Sequence, residues 1–178
     1  MKATGIVRRI DDLGRVVIPK EIRRTMRIRE GDPLEIFTDR DGEVIFKKYS
    51  PIGELGDFAA QICDSLHRST DAIAAVCDRD SIIAVSGASK RDFIDKRVSP
   101  ALERVMESRG SVRYDGTEPM HVIDGDERYY VSVASPILSE GDILGCVIFV
   151  SQNASAGSDI EFKLAQTVAS FLGQQMES

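Results

Sequence analysis

The chain has 178 residues, 42% of them hydrophobic, and a formal net charge of −6 at pH 7. That hydrophobic share is enough for a packed interior and excludes a wholly disordered chain. The longest apolar run, Ile143 to Val150 with Gly145 inside it, is far short of the ~20 residues of a membrane helix and suits a buried strand.

The charge is unevenly spread. Residues 1–50 hold 12 Lys and Arg against 9 Asp and Glu, whereas residues 51–178 hold 11 against 20. A basic head precedes an acidic body, and that asymmetry points to nucleic acid. The start, Met1-Lys2-Ala3-Thr4-Gly5, has no apolar core of a secretory signal. Cys63, Cys77 and Cys146 are odd in number, widely spaced and outside any metal-ligand pattern. The expectation is a cytoplasmic protein with reduced, mostly buried thiols.

In chain order, residues 3–10 and 15–18 are β-branched and flank the turn Asp11-Asp12-Leu13-Gly14, so two strands are predicted. Pro19 suits the first helical position, and the helix should run to about Arg27. At ~100° per residue, with Lys20 at zero, Arg23, Arg24 and Arg27 fall at about 300°, 40° and 340°. Ile22 and Met26 fall on the opposite side. A short helix with an apolar back and a cationic front is built to lie on something negative, and the phosphate backbone of DNA fits best. Gly31 and Pro33 close the connection, Leu34–Thr38 alternates as a strand, Asp39-Arg40-Asp41-Gly42 turns the chain, and Glu43–Tyr49 returns it.

This ββ-α-ββ head is small. A domain of such size buries only about 60% of its unfolded surface and is marginal alone. An intertwined dimer that shares these strands resolves the shortage, and its two-fold axis sets two basic helices side by side.

Ser50-Pro51-Ile52-Gly53 marks the boundary, giving a domain over 1–50, a short linker over 51–55 and a second domain over 56–178. Leu55, Phe58, Ala59, Ile62 and Leu66 repeat at helical spacing. Strands are predicted over Ala72–Cys77 and Ile82–Ser86. A helix starts at Ser99-Pro100, Ser99 being its cap. Strands follow near Met120–Ile123, Tyr129–Leu138 and Ile143–Ser151. The last helix opens with a capping box, Ser158-Asp159-Ile160-Glu161, and presents Ile160, Leu164, Val168, Phe171 and Leu172 on one stripe. The order predicts an α+β fold, an antiparallel sheet with packed helices.

Catalytic patterns are poor. There is no glycine-rich phosphate loop, no His-Glu-x-x-His, and His67 and His121 stand isolated as structural or surface residues. The apolar stripes of 55–66 and 160–172 are either ordinary core or an inter-subunit helix bundle. A ligand pocket is conceivable between the sheet and the segment Ser86–Pro100, where Ser86, Ser89, Lys90 and Arg91 offer polar groups, but a solvated loop fits the same residues.

The first 50 residues resemble the AbrB-type DNA-binding domain, or swapped-hairpin fold. The resemblance runs through Thr4-Gly5-Ile6-Val7-Arg8, Asp12-Leu13-Gly14-Arg15-Val16-Val17-Ile18-Pro19, Glu21-Ile22-Arg23-Arg24 and Lys47-Lys48-Tyr49. The rest, in length and element order, resembles a GAF-type sensory domain, without the Asn-Lys-x-x-x-Phe-Asp-Glu signature of the cyclic-nucleotide members. The resemblance implies a homodimeric head whose Arg8, Arg15, Arg23 and Arg24 contact double-stranded DNA, and Arg9 and Lys20 are added as further basic positions. It also implies a tetramer joined through the C-terminal domains, and a sequence-tolerant transcriptional regulator that favours A·T-rich DNA. No cofactor, metal or catalytic residue is expected, and an unidentified small-molecule ligand of the GAF-like domain is left open. The alternatives are an antitoxin-type autoregulator, because some antitoxins share this head, and a thiol-based GAF-fold reductase.

Overall fold

The computed structural model describes residues 5–177. The chain divides after Tyr49 into two compact units.

In the first unit, helix α1 spans Lys20–Met26. Pro19 stands one position earlier than expected in the helix register, as the N-cap residue. Arg27 ends the helix in the left-handed conformation, at φ 54°. Its turn lets the amide of Ile28 donate to the Arg23 carbonyl at 2.8 Å, satisfying a helix-end acceptor. Strands β1 (Leu34–Thr38) and β2 (Val44–Lys48) form an antiparallel hairpin with Ile36 opposite Phe46. Asp39 folds its tip, Oδ1 accepting from the amides of Asp41 and Glu43 at 3.0 and 2.8 Å.

The strands predicted over 3–10 and 15–18 are not formed. Residues 5–10 and 15–18 carry no ladder, and positions 3 and 4 lie outside the described residues. The physical reason is pairing. A strand exists only against a neighbour, and β1 and β2 pair with each other alone. Among the described residues of this unit only Pro19 is buried. Ile6, Val7, Ile10, Leu13, Val16, Val17, Ile36 and Val44 are all exposed, Val7 at 94%.

The second unit opens with a 3-10 turn, Ile52–Leu55. The expected linker over 51–55 is thus folded structure, because Ile52 is fully buried in the core beside Ala59 and Cys63. Helix α2 covers Gly56–Thr70, β3 Ile73–Asp78 and β4 Ile82–Ser86. A one-turn helix α3 (Lys90–Phe93) precedes α4 (Pro100–Ser108). The Ser99 Oγ caps α4 by accepting from the Leu102 amide at 3.1 Å. A two-residue strand β5 (Val112–Arg113) is followed by β6 (Tyr130–Ser139), β7 (Asp142–Ser151) and α5 (Asp159–Gln175). The capping box at Ser158 and Glu161 is present in full.

The five strands form one antiparallel sheet in the order β4-β3-β7-β6-β5. The fold class is therefore α+β, as the element order required. Strand β7 is central and covered on both faces. Its Cys146, Ile148 and Val150 pack with Phe93, Leu102 and Met106, while its Val147 and Phe149 pack with Ala59, Cys63, Ala165 and Leu172. That double burial explains the unbroken apolar run in the sequence. Met120–Ile123 is not a strand of the ladder. It makes isolated bridges only, Val98 to Ile123 and His121 to Tyr130.

Candidate nucleic-acid interface

The six cations singled out in the sequence all lie in the first unit, and all six are exposed. Arg8 and Arg9 sit on the segment without regular structure before the Asp11 turn. Arg15 follows that turn. Lys20, Arg23 and Arg24 project from α1. Their placement follows from the local chemistry. Pro19 starts the helix, the left-handed Arg27 stops it, and seven residues are long enough for one cationic stripe only.

Two arginines are held in place. The Arg23 Nε donates to the Ile18 carbonyl at 3.1 Å, tying the helix back to the segment before it. The Arg15 Nε donates to Asp11 Oδ2 at 2.8 Å. Asp11 Oδ1 meanwhile accepts from the amides of Leu13 and Arg15, both at 2.9 Å. These hydrogen bonds from the Arg15 amide and guanidinium hold the Asp11 carboxyl below its ordinary range. The side chains of Arg8, Arg9, Lys20 and Arg24 make no ion pair or hydrogen bond among the described residues. Arg27, grouped with the stripe by the helical wheel, leaves it. Its backbone is left-handed, it is half-buried, and its carbonyl accepts from Lys48 Nζ at 2.8 Å.

Arginine suits this surface. Its planar fork meets a phosphate with two parallel hydrogen bonds and matches the O6/N7 edge of guanine equally well. The helical wheel singled out Lys20, Arg23 and Arg24, and the AbrB-type resemblance supplied Arg8 and Arg15 as well, but both passed over Asp11. Only the Asp-x-x-Gly-Arg spacing across a turn carried its signal.

In the second unit, the space between the sheet and Ser86–Pro100 holds side chains. Phe93 is fully buried and its ring centroid lies 4.5 Å from that of Tyr129. The Tyr129 hydroxyl donates to Asp92 Oδ2 at 3.1 Å. Arg128 pairs with Asp126 at 2.7 Å and Asp92 at 3.5 Å and lies over the Tyr129 ring. Ser89, Lys90 and Arg91 face solvent, and Ser86 is half-buried. A cavity of about 330 Å³ lies elsewhere, between α5 and β6, lined in part by Ser111, Ser135, Gln166 and Gln174.

The three cysteines are free and buried. Burial pushes the Cys63 thiol up to about 12 and raises Cys77 well above its ordinary value. Thiols of that kind are poor nucleophiles, which argues against reductase chemistry. His67 is structural. Its Nδ1 meets the Ala72 carbonyl at 2.8 Å, so that nitrogen carries the proton, and a Cβ at Gly87 would stand 2.6 Å from the same Nδ1. Among the described residues no group of three or more His, Cys, Asp and Glu is arranged to hold a metal, and no helix is long and apolar enough to cross a membrane.

Residues 54–177 match the family described as stage V sporulation protein T C-terminal, transcription factor, and residues 7–53 match the antidote-toxin recognition family MazE. The chain is 56% identical over 178 residues to stage V sporulation protein T of Bacillus subtilis, covering 99% of each. Its head is 63% identical over 51 residues to the transition state regulatory protein AbrB of the same organism, 29% of this chain and 52% of that one. The GAF domain of an Acinetobacter phosphoenolpyruvate-protein phosphotransferase covers 68% of this chain and 81% of its own at TM-score 0.55 and 10% identity, a likeness of fold alone. An identity above one half along the whole length, with the C-terminal family matched over most of the chain, decides the matter: this chain belongs to the stage V sporulation protein T family of transcriptional regulators.

Proposed function

We propose that the chain is a cytoplasmic, non-enzymatic regulator of sporulation genes, activating some promoters and repressing others. Its head grips double-stranded DNA as a swapped dimer through Arg8, Arg9, Arg15, Lys20, Arg23 and Arg24, and its GAF-like unit joins two dimers into a tetramer. One observation carries the reading. Among its described residues the first unit fully buries only Pro19, leaves many apolar side chains exposed, and turns six cations to solvent. Exposed apolar segments without a neighbour call for a second copy of the same segments. Cations gathered on a short helix and its flanking turn call for a polyanion.

The surface reads phosphates and DNA shape more than base edges, so the consensus is loose and deformable A·T-rich duplexes are favoured. If six to eight phosphates are engaged per dimer, log K falls with log[salt] at a slope of roughly −5 to −7. Fluorescence anisotropy of an A·T-rich duplex across a salt series, beside Arg23→Ala/Arg24→Ala, tests this. A steep slope that flattens in the double variant is expected. Binding insensitive to salt, or absent at low salt, overturns the reading.

The antitoxin reading is favoured by the MazE match over residues 7–53. It calls for co-purification of a small toxin with the chain. Against it stands the ordered sheet and helices of the second unit, where antitoxins carry a tail that wraps the toxin.

A further inference from the structure

The Asp11–Arg15 pair poses a puzzle for a surface that binds a polyanion. The Asp11 carboxylate follows Arg8 and Arg9 in the chain and pairs with Arg15, and by charge alone it repels phosphate. We infer that Asp11 is a positioning residue for DNA recognition: it fixes the Arg15 guanidinium by its Nε edge and so aims the remaining Nη edge at the nucleic acid. The inference rests on the DNA-binding reading and goes beyond it in assigning a role to an acid.

The geometry carries the argument. Five hydrogen bonds tie residues 11 to 15. The Asp11 amide donates to the Arg15 carbonyl at 3.0 Å, and the Gly14 amide donates to the Asp11 carbonyl at 3.1 Å. The amides of Leu13 and Arg15 both donate to Asp11 Oδ1 at 2.9 Å. The fifth bond differs from these. Arg15 Nε donates to Asp11 Oδ2 at 2.8 Å, and this bond does nothing for the backbone. The two carboxylate oxygens therefore divide their work, Oδ1 closing the loop and Oδ2 holding the side chain. Gly14, at φ 78°, permits the tight return.

A guanidinium has five N–H donors. The bond to Asp11 uses the one on Nε and leaves four on the two Nη groups. Those four form the fork that takes a phosphate or a guanine edge in bidentate fashion. The Arg15 side chain is 69% exposed, so the fork faces solvent. Arginine carries about 2 kcal/mol of rotamer entropy, and a side chain fixed before DNA arrives loses less on binding. Arg8, Arg9 and Arg24 lack any such tether among the described residues. Arg15 is thus a cation held ready, and Asp11 is what holds it.

Charge and positioning predict opposite signs. Asp11→Asn keeps an acceptor for the Leu13 and Arg15 amides, places an NH2 donor where Oδ2 accepted from Arg15, and removes one negative charge per chain. If charge alone matters, the variant binds an A·T-rich duplex more tightly. If Asp11 positions Arg15, it binds about threefold to tenfold more weakly, the net worth of an ordinary solvent-exposed hydrogen bond. Its salt slope should also become shallower by about two per dimer, as in Arg15→Ala, because two phosphate contacts are lost.

The experiment is anisotropy of that duplex with the full chain, Asp11→Asn, Arg15→Ala and the double variant, across salt, with a thermal melt of each. Expected are weaker binding by Asp11→Asn and no further loss when it is added to Arg15→Ala. Equal or tighter binding by Asp11→Asn overturns the proposal while leaving the DNA reading intact. So does an equal loss in the Arg15→Ala background, since that would place the effect in the loop itself. Failure of the unsubstituted chain to bind DNA would remove the DNA reading, and this inference with it.

Discussion

Phe93, from the one-turn helix α3, sits with its ring centroid 4.5 Å from that of Tyr129, at 53° between the planes, and both residues are buried. The pair closes the segment between β4 and α4 onto the sheet. The arrangement is a tilted aromatic contact of the favourable kind, worth ~1 kcal/mol beyond area burial. Phe93→Ala would leave a cavity among Leu102, Met106 and Val122, at a cost of about 3–5 kcal/mol. Chemical denaturation followed by a probe confined to the second unit should show a lower midpoint for that unit. An unchanged midpoint would mean that α3 is not part of the cooperative core.

Gly173 reverses the usual rule for helices. Alanine in place of glycine in a helix interior normally gains about 1 kcal/mol. Here a Cβ would stand 2.0 Å from the Leu138 carbonyl oxygen, backbone that has no freedom to yield. Gly173→Ala is therefore expected to destabilise by several kcal/mol, by forcing α5 off β6. A melting temperature equal to or above that of the unsubstituted chain would refute the close approach.

Asp126 gives the second unit a pH dependence. Hydrogen bonds from the Arg128 guanidinium, foremost, hold its carboxyl below the ordinary range. A depressed folded value means that the native state favours the ionised form. The stabilisation is complete above the unfolded value, about 3.9, and is lost as pH falls through the lower folded value. Asp126→Asn should be less stable than the unsubstituted chain at neutral pH, with the gap closing below about pH 4. Arg128 is 61% exposed on its side chain, so the gap is small. A gap that persists unchanged at low pH would assign it to something other than ionisation.

Much of the second unit was legible because its signals are local. Ser99 and the Ser158–Glu161 box marked two helix starts to the residue. The apolar run of β7 marked a strand buried on both faces. What escaped was too short to show a period: four residues of α3 and two of β5. Met120–Ile123 looked like a strand because its apolar side chains face the core, yet its backbone meets only isolated bridges. In the head the apolar pattern was read as two strands over 3–10 and 15–18, and the described residues of these segments form none, because within one chain no neighbour pairs with residues 5–10 or 15–18. The basic stripe of Lys20, Arg23 and Arg24 showed in the helical spacing, whereas Arg8 and Arg15 came from the AbrB-type resemblance. Asp11 was placed in the turn but not on Arg15, because sequence spacing does not say which way a side chain leans.

Ile36 offers the sharpest test of the dimeric head. It is 64% exposed on β1, and a substitution at such a position ordinarily moves stability by no more than about 0.5 kcal/mol. If β1 is part of a core shared between two copies, that expectation fails. Ile36→Asp then buries an unpaired carboxylate where the second copy packs, a cost of several kcal/mol. The head dimer is lost and DNA binding falls with it, because a single head offers half the cations and one helix in place of two. The second unit, which has its own sheet and cores, keeps its melting transition. Sedimentation of the full chain should show a species of lower mass for Ile36→Asp, and anisotropy should show a large loss of affinity for an A·T-rich duplex. Unchanged mass together with unchanged affinity would mean that the exposed apolar strands of the head are surface, and the swapped dimer would have to be given up.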